Sequence, residues 1–227
     1  MAKPWIACHM MMSVDGRIDC GMTVKLRGND EYYAALDALD APNRVSGRVT
    51  AELEMAAGRW AAADPASYGK PGFSRVAGTD GASGYEIVFD THGVLAWDAG
   101  GAYARPVLVD TSEQAPADYL AYLEKQGISW IACGKGRIDV AAAVDVLARE
   151  FGVKRMAVVG GGNINAAFLD AGLLDEVSIL LGPGVDARAG MAPTFDGLPA
   201  DREPFQLGLK GVTSYDDGAL WIRYDVR

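Results

Sequence analysis

Short apolar runs separated by stretches of helical period recur along this chain. Pro4 to Met12 is almost unbroken in its apolar character, closes on the turn pair Asp15-Gly16, and predicts a buried β-strand. Asn29 or Asp30 then caps a helix running to about Leu39, with Tyr32, Leu36 and Leu39 on one face. Arg44-Val45-Ser46 is short and extended, and Gly47-Arg48-Val49-Thr50 leads into a second helix ending near Met55. Residues 57–84 are rich in Ala, Gly, Ser and Pro and have little periodicity. Because strands resume directly afterwards, they predict a surface excursion within one domain.

Glu86 to Phe89 and Pro106 to Val109 are β-branched strands, each followed by an Asp-Thr pair, Asp90-Thr91 and Asp110-Thr111. Pro116 suits the first position of a helix whose buried stripe holds Leu120 and Leu123, and Gly127 stops it. Ser129 to Cys133 is a further strand. Asp139 caps a helix in which Val140, Val144, Leu147 and Phe151 repeat on one face, with Gly152 as its stop. Met156 to Val159 and Val177 to Leu181 are strands, and Gly172 ends the helix between them. Gln206 to Thr213 and Ala219 to Val226 form a hairpin about Asp216-Asp217-Gly218. The alternation predicts an α/β fold: a single domain, a mostly parallel central sheet with helices on both faces, and a C-terminal antiparallel hairpin.

The chemistry concentrates where Met156 to Val159 runs through Gly160-Gly161-Gly162 into Asn163-Ile164-Asn165. A strand, a glycine turn and a helix start place unpaired N–H groups and a partial positive charge where a phosphate can come close. The spacing is not GxGxxG, and the same glycines also fit a plain tight turn. The net charge of −9 argues against nucleic acid or an anionic membrane as partner, so phosphate recognition has to be local. No apolar run is long enough to span a bilayer, and no cleavage pattern follows the first strand, which places the chain in the cytoplasm. Cys8, Cys20 and Cys133 lack disulfide or metal spacing, and His9 and His92 are too few for a histidine metal centre, so no metal is expected.

Four segments carry a family resemblance: Ser13-Val14-Asp15-Gly16-Arg17-Ile18, Gly47-Arg48-Val49-Thr50, Val88-Phe89-Asp90-Thr91, and Val158 to Glu176 with its GGGNIN turn. With them the chain resembles the dihydrofolate-reductase-like superfamily and, within it, the reductase domain of bacterial riboflavin biosynthesis, over essentially its whole length. The resemblance implies NADPH bound across the carboxyl ends of the strands. Gly160, Gly161, Gly162, Asn163, Ile164 and Asn165 would then bind the cofactor, with Gly161 through Ala167 holding the pyrophosphate. Gly47, Arg48, Val49 and Thr50 would approach from a second helix start, with Thr91 near the adenosine phosphate. Arg48 and Lys135 are the local cations available to the 2′-phosphate, although Arg48 also reads as a solvated surface cation. The family's glutamate before the glycines is replaced by Val159, and its first-strand lysine by His9. Its Ser-Arg…His…Arg stretch that grips a ribose phosphate has no counterpart between Gly21 and Asp40.

For a proton source the sequence offers His9, whose reference pKa of about 6.5 suits donation near neutrality, and Asp15. His9 reads equally as a core histidine bonded to a backbone carbonyl, and Asp15-Gly16 as a turn. Asp175-Glu176 reads as a solvated turn, and Met10, Met11 and Met12 as core. Tyr32, Tyr33 and Trp60 are aromatics for the core or for stacking on a substrate ring. The reading is an NADPH-dependent reductase of a small heterocycle, imine or carbonyl, closest to 5-amino-6-(5-phosphoribosylamino)uracil reductase. The competing readings are a reductase of an unrelated substrate, a non-catalytic NADPH-binding dimer, and a hydrolase, which lacks a nucleophile near Gly161. Beyond a small-molecule substrate, the expected partner is a second copy in a homodimer.

Overall fold

The computed structural model describes residues 3–62, 67–76, 83–98, 101 and 103–227. The chain begins with β1 (Trp5–Met12), a one-turn α1 (Cys20–Thr23) and α2 (Asn29–Ala38). It continues through β2 (Asn43–Gly47), α3 (Arg48–Glu54), β3 (Gly58–Arg59), β4 (Gly72–Ser74), β5 (Glu86–Phe89) and β6 (Leu95–Ala96). Then come β7 (Val107–Thr111), α4 (Ala117–Lys125), β8 (Ser129–Ala132) and α5 (Val140–Glu150). It closes with β9 (Arg155–Gly160), α6 (Gly162–Asp170), β10 (Glu176–Leu181), β11 (Leu207–Ser214) and β12 (Leu220–Val226). Two compact units result: a middle unit of Met1–Pro4 with Pro42–Lys154, and a flanking unit of Trp5–Ala41 with Arg155–Arg227.

In the flanking unit β1 runs parallel to both β10 and β9. Strand β12 joins β10 antiparallel, and β11 closes the edge as the far arm of the expected hairpin. A strand buried on both faces reads as a continuous apolar run, which is why Pro4 to Met12 shows so little alternation. Ala7 pairs in register with Glu176 and Ala157, so these side chains share one face. On that face Ala7 and Ala157 meet Leu36, Leu39 and Ala41, with Trp5, Tyr32, Val159 and Trp221 packed around them.

The middle unit has the parallel strands β2, β5, β7 and β8 side by side, with β4 antiparallel to β8. Ala51 of α3 and Tyr119, Leu120 and Leu123 of α4 pack on Val88, Val109 and Ala132 of these strands. The expected Asp139 cap forms: its Oδ1 accepts the Ala142 N–H at 3.0 Å. Gly127 and Gly152 end α4 and α5 at φ +72° and +67°, a region open to glycine. Among the described residues no helix is long and apolar enough to cross a membrane.

Several local expectations are corrected. Gly28, at φ +98°, takes the N-cap position of α2, while Asn29 turns its amide back onto the Thr23 and Leu26 carbonyls. Pro116 is the N-cap of α4, one residue earlier than expected. The segment 57–84 contains the short strands β3 and β4; its residues 63–66 and 77–82 lie outside the described residues. Glu176 is not in a solvated turn. It is fully buried as the first residue of β10, where Lys210 Nζ donates at 2.7 Å and Arg223 Nη2 at 2.9 Å. Asp175 likewise accepts the Ile6 N–H at 2.8 Å.

Candidate active site

The glycine turn forms as its spacing demands. Strand β9 ends at Gly160, Gly161 turns the chain at φ +83°, and α6 starts at Gly162. Ile164 and Asn165 both donate their N–H groups to the Gly161 carbonyl at 3.1 Å. The N–H groups of Gly162 and Asn163, ahead of them, have no helical acceptor. A Cβ on Gly161 would meet nothing closer than Ile164 Cγ2 at 3.6 Å, so this side of the turn is open. The opposite flank is closed. A Cβ on Gly162 would lie 2.5 Å from the Pro193 carbonyl oxygen, and Asp196 donates its N–H to the Gly162 carbonyl at 3.1 Å. Asn165 is fully buried there, its Nδ2 donating to the Thr194 carbonyl at 2.7 Å while its Oδ1 is buried without a partner. Of the six candidates in this turn, Gly161, Asn163 and Ile164 keep a surface a ligand can reach, and Gly160, Gly162 and Asn165 do not.

The segment that closes this flank is a strap, residues 184–197, whose length and polarity gave no signal in the sequence. It is laced to the turn after β1. Val14 donates to Gly184, Ile18 to Ala192, and Thr194 back to Gly16, all through the backbone. Arg17 Nη1 adds a bond to the Met191 carbonyl at 2.7 Å. Asp15 fastens the strap's other end, accepting the N–H groups of Asp186 and Ala187 at 2.9 and 3.0 Å and the Ser13 hydroxyl at 2.7 Å. Those donors, the Ser13 hydroxyl first, hold the Asp15 carboxyl far below the usual carboxylate range. Asp15 is therefore poorly placed as a proton donor and well placed to hold the strap, in keeping with its Asp-Gly turn.

His9 lies on the α2-facing side of β1 and is fully buried. Its Nε2 sits 3.1 Å from the Tyr32 carbonyl, which only accepts, so the proton belongs on Nε2. Its Nδ1 is 2.9 Å from Ser178 Oγ, which also takes the Trp221 Nε1–H at 2.7 Å. The imidazole stacks on the Tyr32 ring at 4.6 Å. Both nitrogens are thus engaged inside the protein, so the geometry favours the core histidine over the proton donor. The methionines behave as expected: Met10 and Met11 are buried, and Met12 Sδ lies 3.2 Å from Thr194 Oγ1.

In the middle unit the second candidate turn forms at the carboxyl end of β2, with Gly47 in extended backbone as the N-cap of α3. Thr50 is half-buried, whereas Val49 is exposed. Arg48 is no free surface cation: its Nη1 donates to Glu52 Oε2 at 2.8 Å, one helical turn away. Arg59 grips the same carboxylate through Nε and Nη2, at 2.6 and 3.1 Å. Two guanidiniums thus share one carboxylate, and Arg59 went unnoticed because nothing in the sequence linked it to residue 52. Thr91 is half-buried at the end of β5, its carbonyl accepting the Ser112 hydroxyl at 2.7 Å. Beside it Asp90 Oδ2 ties down the Val94 and Leu95 N–H groups, and burial raises its carboxyl. Lys135 is exposed. Trp60 stacks on Tyr122 and lies tilted against Tyr119, Tyr32 covers His9, and Tyr33 is exposed. Among the described residues no cluster of His, Cys, Asp and Glu has the makings of a metal site.

The model of the RibD C-terminal domain matches residues 4–220. The chain is 28% identical over 123 residues to a 2,5-diamino-6-ribosylamino-4(3H)-pyrimidinone 5′-phosphate reductase from Methanothermobacter thermautotrophicus, covering 54% of this chain. That match spans only 56% of the relative's own length. Among solved structures, a pyrimidine reductase-like protein from Corynebacterium diphtheriae superposes with a TM-score of 0.72 at 18% identity, over 99% of this chain and 92% of the other. A riboflavin biosynthesis reductase from Saccharomyces cerevisiae gives 0.63 at 15% identity, over 99% and 90%. At those identities the superpositions speak for the fold, and the family match speaks for descent. With a match over residues 4–220, the chain belongs to the RibD C-terminal domain family.

Proposed function

We propose that this chain, acting as one reductase domain over residues 1–227, is an NADPH-dependent oxidoreductase. Its reaction is closest to reduction of 5-amino-6-(5-phosphoribosylamino)uracil. The observation that carries the reading is the open glycine turn, whose exposed Asn163 carries an N–H with no helical acceptor, on the side where Gly161 meets nothing closer than Ile164. A diphosphate fits the chemistry of that donor set, because it needs N–H groups and close backbone approach more than it needs side-chain charge. The names of the relatives support a pyrimidine-type acceptor.

In this reading Gly161, Asn163 and Ile164 hold the pyrophosphate. Within the middle unit, the N-terminal turn of α3 from Gly47 to Thr50, and Thr91, are the proposed cofactor-binding residues. Arg48 and Arg59, aligned by Glu52, supply the cationic character that favours a 2′-phosphate, and thus NADPH over NADH. The nicotinamide supplies a hydride to an electrophilic carbon; the protein's share is orientation and exclusion of water. His9 and Asp15 serve by positioning: His9 locks Tyr32 against β1, and Asp15 fastens the 184–197 strap beside the turn.

The assembly we favour is a homodimer in the cytoplasm. Edge strand β11 exposes Leu209 and Val212 on its free side, the kind of edge a second copy would cover. The activity is tested by supplying NADPH and the phosphoribosylaminopyrimidine to purified protein and following NADPH oxidation. Saturable turnover is expected, and no oxidation above the buffer rate overturns this substrate assignment.

A further inference from the structure

Thr194, buried in the strap, is held from three sides. Its N–H donates to the Gly16 carbonyl at 3.1 Å, and its own carbonyl accepts Asn165 Nδ2 at 2.7 Å. Its hydroxyl lies 3.3 Å from the same Gly16 carbonyl and 3.2 Å from Met12 Sδ. One residue of the strap thus joins α6 to the turn after β1. Strands β1 and β9 are parallel neighbours, so that turn and the glycine turn leave the sheet side by side. They leave it at the carboxyl end, where ligands of open parallel sheets bind.

Asn165 is the side chain that closes the link from α6. It is fully buried, and its Oδ1 lacks a partner among the described residues. A half-satisfied amide in that place is costly, and an apolar residue of similar size would avoid the cost. The bond to Thr194 is what the amide provides in return. The glycine turn does not need it for its own shape, because the N–H groups of Ile164 and Asn165 close on the Gly161 carbonyl within α6. The chain Asn165–Thr194–Gly16 instead sets where the first turn of α6 stands against the turn after β1.

From this geometry, and resting on the cofactor reading above, we propose that Asn165 is a positioning residue for hydride transfer. Acting through Thr194, it keeps the glycine turn aligned with residues 13–17 without touching the cofactor. Its loss leaves the N–H donors of the glycine turn in place but shifts them relative to the neighbouring turn. Rate is far more sensitive than affinity to such a shift: about 1 Å of misplacement costs on the order of 100-fold.

The test is the variant Asn165→Asp, which keeps the shape and makes the donor depend on pH. Near pH 8 a carboxylate faces the Thr194 carbonyl and repels it. Near pH 5 the buried carboxyl is protonated, and its O–H donates as the amide does. All measurements are compared with wild type at the same pH. NADPH affinity, read by tryptophan fluorescence, is expected to stay within about threefold, while kcat with the phosphoribosylaminopyrimidine falls about tenfold or more near pH 8 and recovers near pH 5. In the free protein, amide exchange at Ile18 and Thr194, whose N–H groups bond Ala192 and Gly16, is expected to quicken near pH 8 and recover near pH 5. A loss of affinity as large as the loss of kcat, or unchanged exchange at both amides, overturns the proposal. If Asn165→Asp does not fold near pH 8, Asn165→Ser is read at that pH by the same criteria. Failure of wild type to oxidise NADPH with this substrate strikes the substrate assignment, and failure to bind NADPH strikes the cofactor reading. The exchange measurement then decides whether Asn165 holds the two turns together.

Discussion

Asp15 and Asp110 are carboxyls that their surroundings push in opposite directions. Asp15 accepts from one hydroxyl and two backbone N–H groups, all of which favour the ionised form. Asp110 is fully buried near the end of β7, both of its oxygens without a partner, and burial pushes its carboxyl well above the usual value. The linkage signs follow. Asp15 has a folded pKa below its unfolded value of about 3.9, so its contribution is complete above that pH and is lost as the pH falls further. In Asp15→Asn the acid limb of a urea-unfolding profile should therefore flatten, and an unchanged limb would remove Asp15 from the strap. Asp110 has a folded pKa above the unfolded one, so its contribution is greatest below about pH 4 and declines as the pH rises. The decline is about 1.4 kcal/mol per pH unit until the folded group ionises. Asp110→Asn should be flat over that range and gain on wild type between pH 5 and pH 8; parallel profiles would contradict the buried acid.

At the scale of elements, the Gly161 and Gly162 positions do different work. Gly161 supplies a backbone conformation, Gly162 the space for the strap at Pro193. Gly162→Ala should destabilise by about 1–3 kcal/mol as the added methyl meets a carbonyl that cannot give way. Urea unfolding measures it, and a change within 0.3 kcal/mol would mean the strap is loosely held there. These elements were legible because their signals are local. The apolar run of β1, the Asp139 cap and the glycine stops each depend on residues within a few positions of one another. What was illegible depends on partners far apart in sequence. Glu176 reads as solvated until Arg223, on a strand reached through two further connections, meets it. His9 reads as a proton donor until Ser178 and the Tyr32 carbonyl occupy it. Arg48 reads as free until Glu52 and Arg59 claim it. The strap has neither apolar periodicity nor a motif, and its order comes from the Ser13–Asp19 turn it lies along.

For the whole molecule, membership of the RibD C-terminal domain family and the glycine turn at α6 together support the reductase reading proposed above. A net charge of −9 leaves anion recognition to local donors, not to a broad basic face. The exposed apolar side of β11 gives the assembly its test: Val212→Lys should turn a dimer into a monomer in sedimentation velocity, and a wild-type monomer at tens of micromolar would contradict the pairing. The central claim is that the amides opening α6 hold the diphosphate of a nicotinamide nucleotide. It is tested most directly by titrating NADPH into the protein and recording tryptophan fluorescence together with the thermal midpoint. A saturable quench and a raised midpoint, both diminished in Gly161→Ala, are the predicted result. No quench and no shift at millimolar NADPH would contradict it.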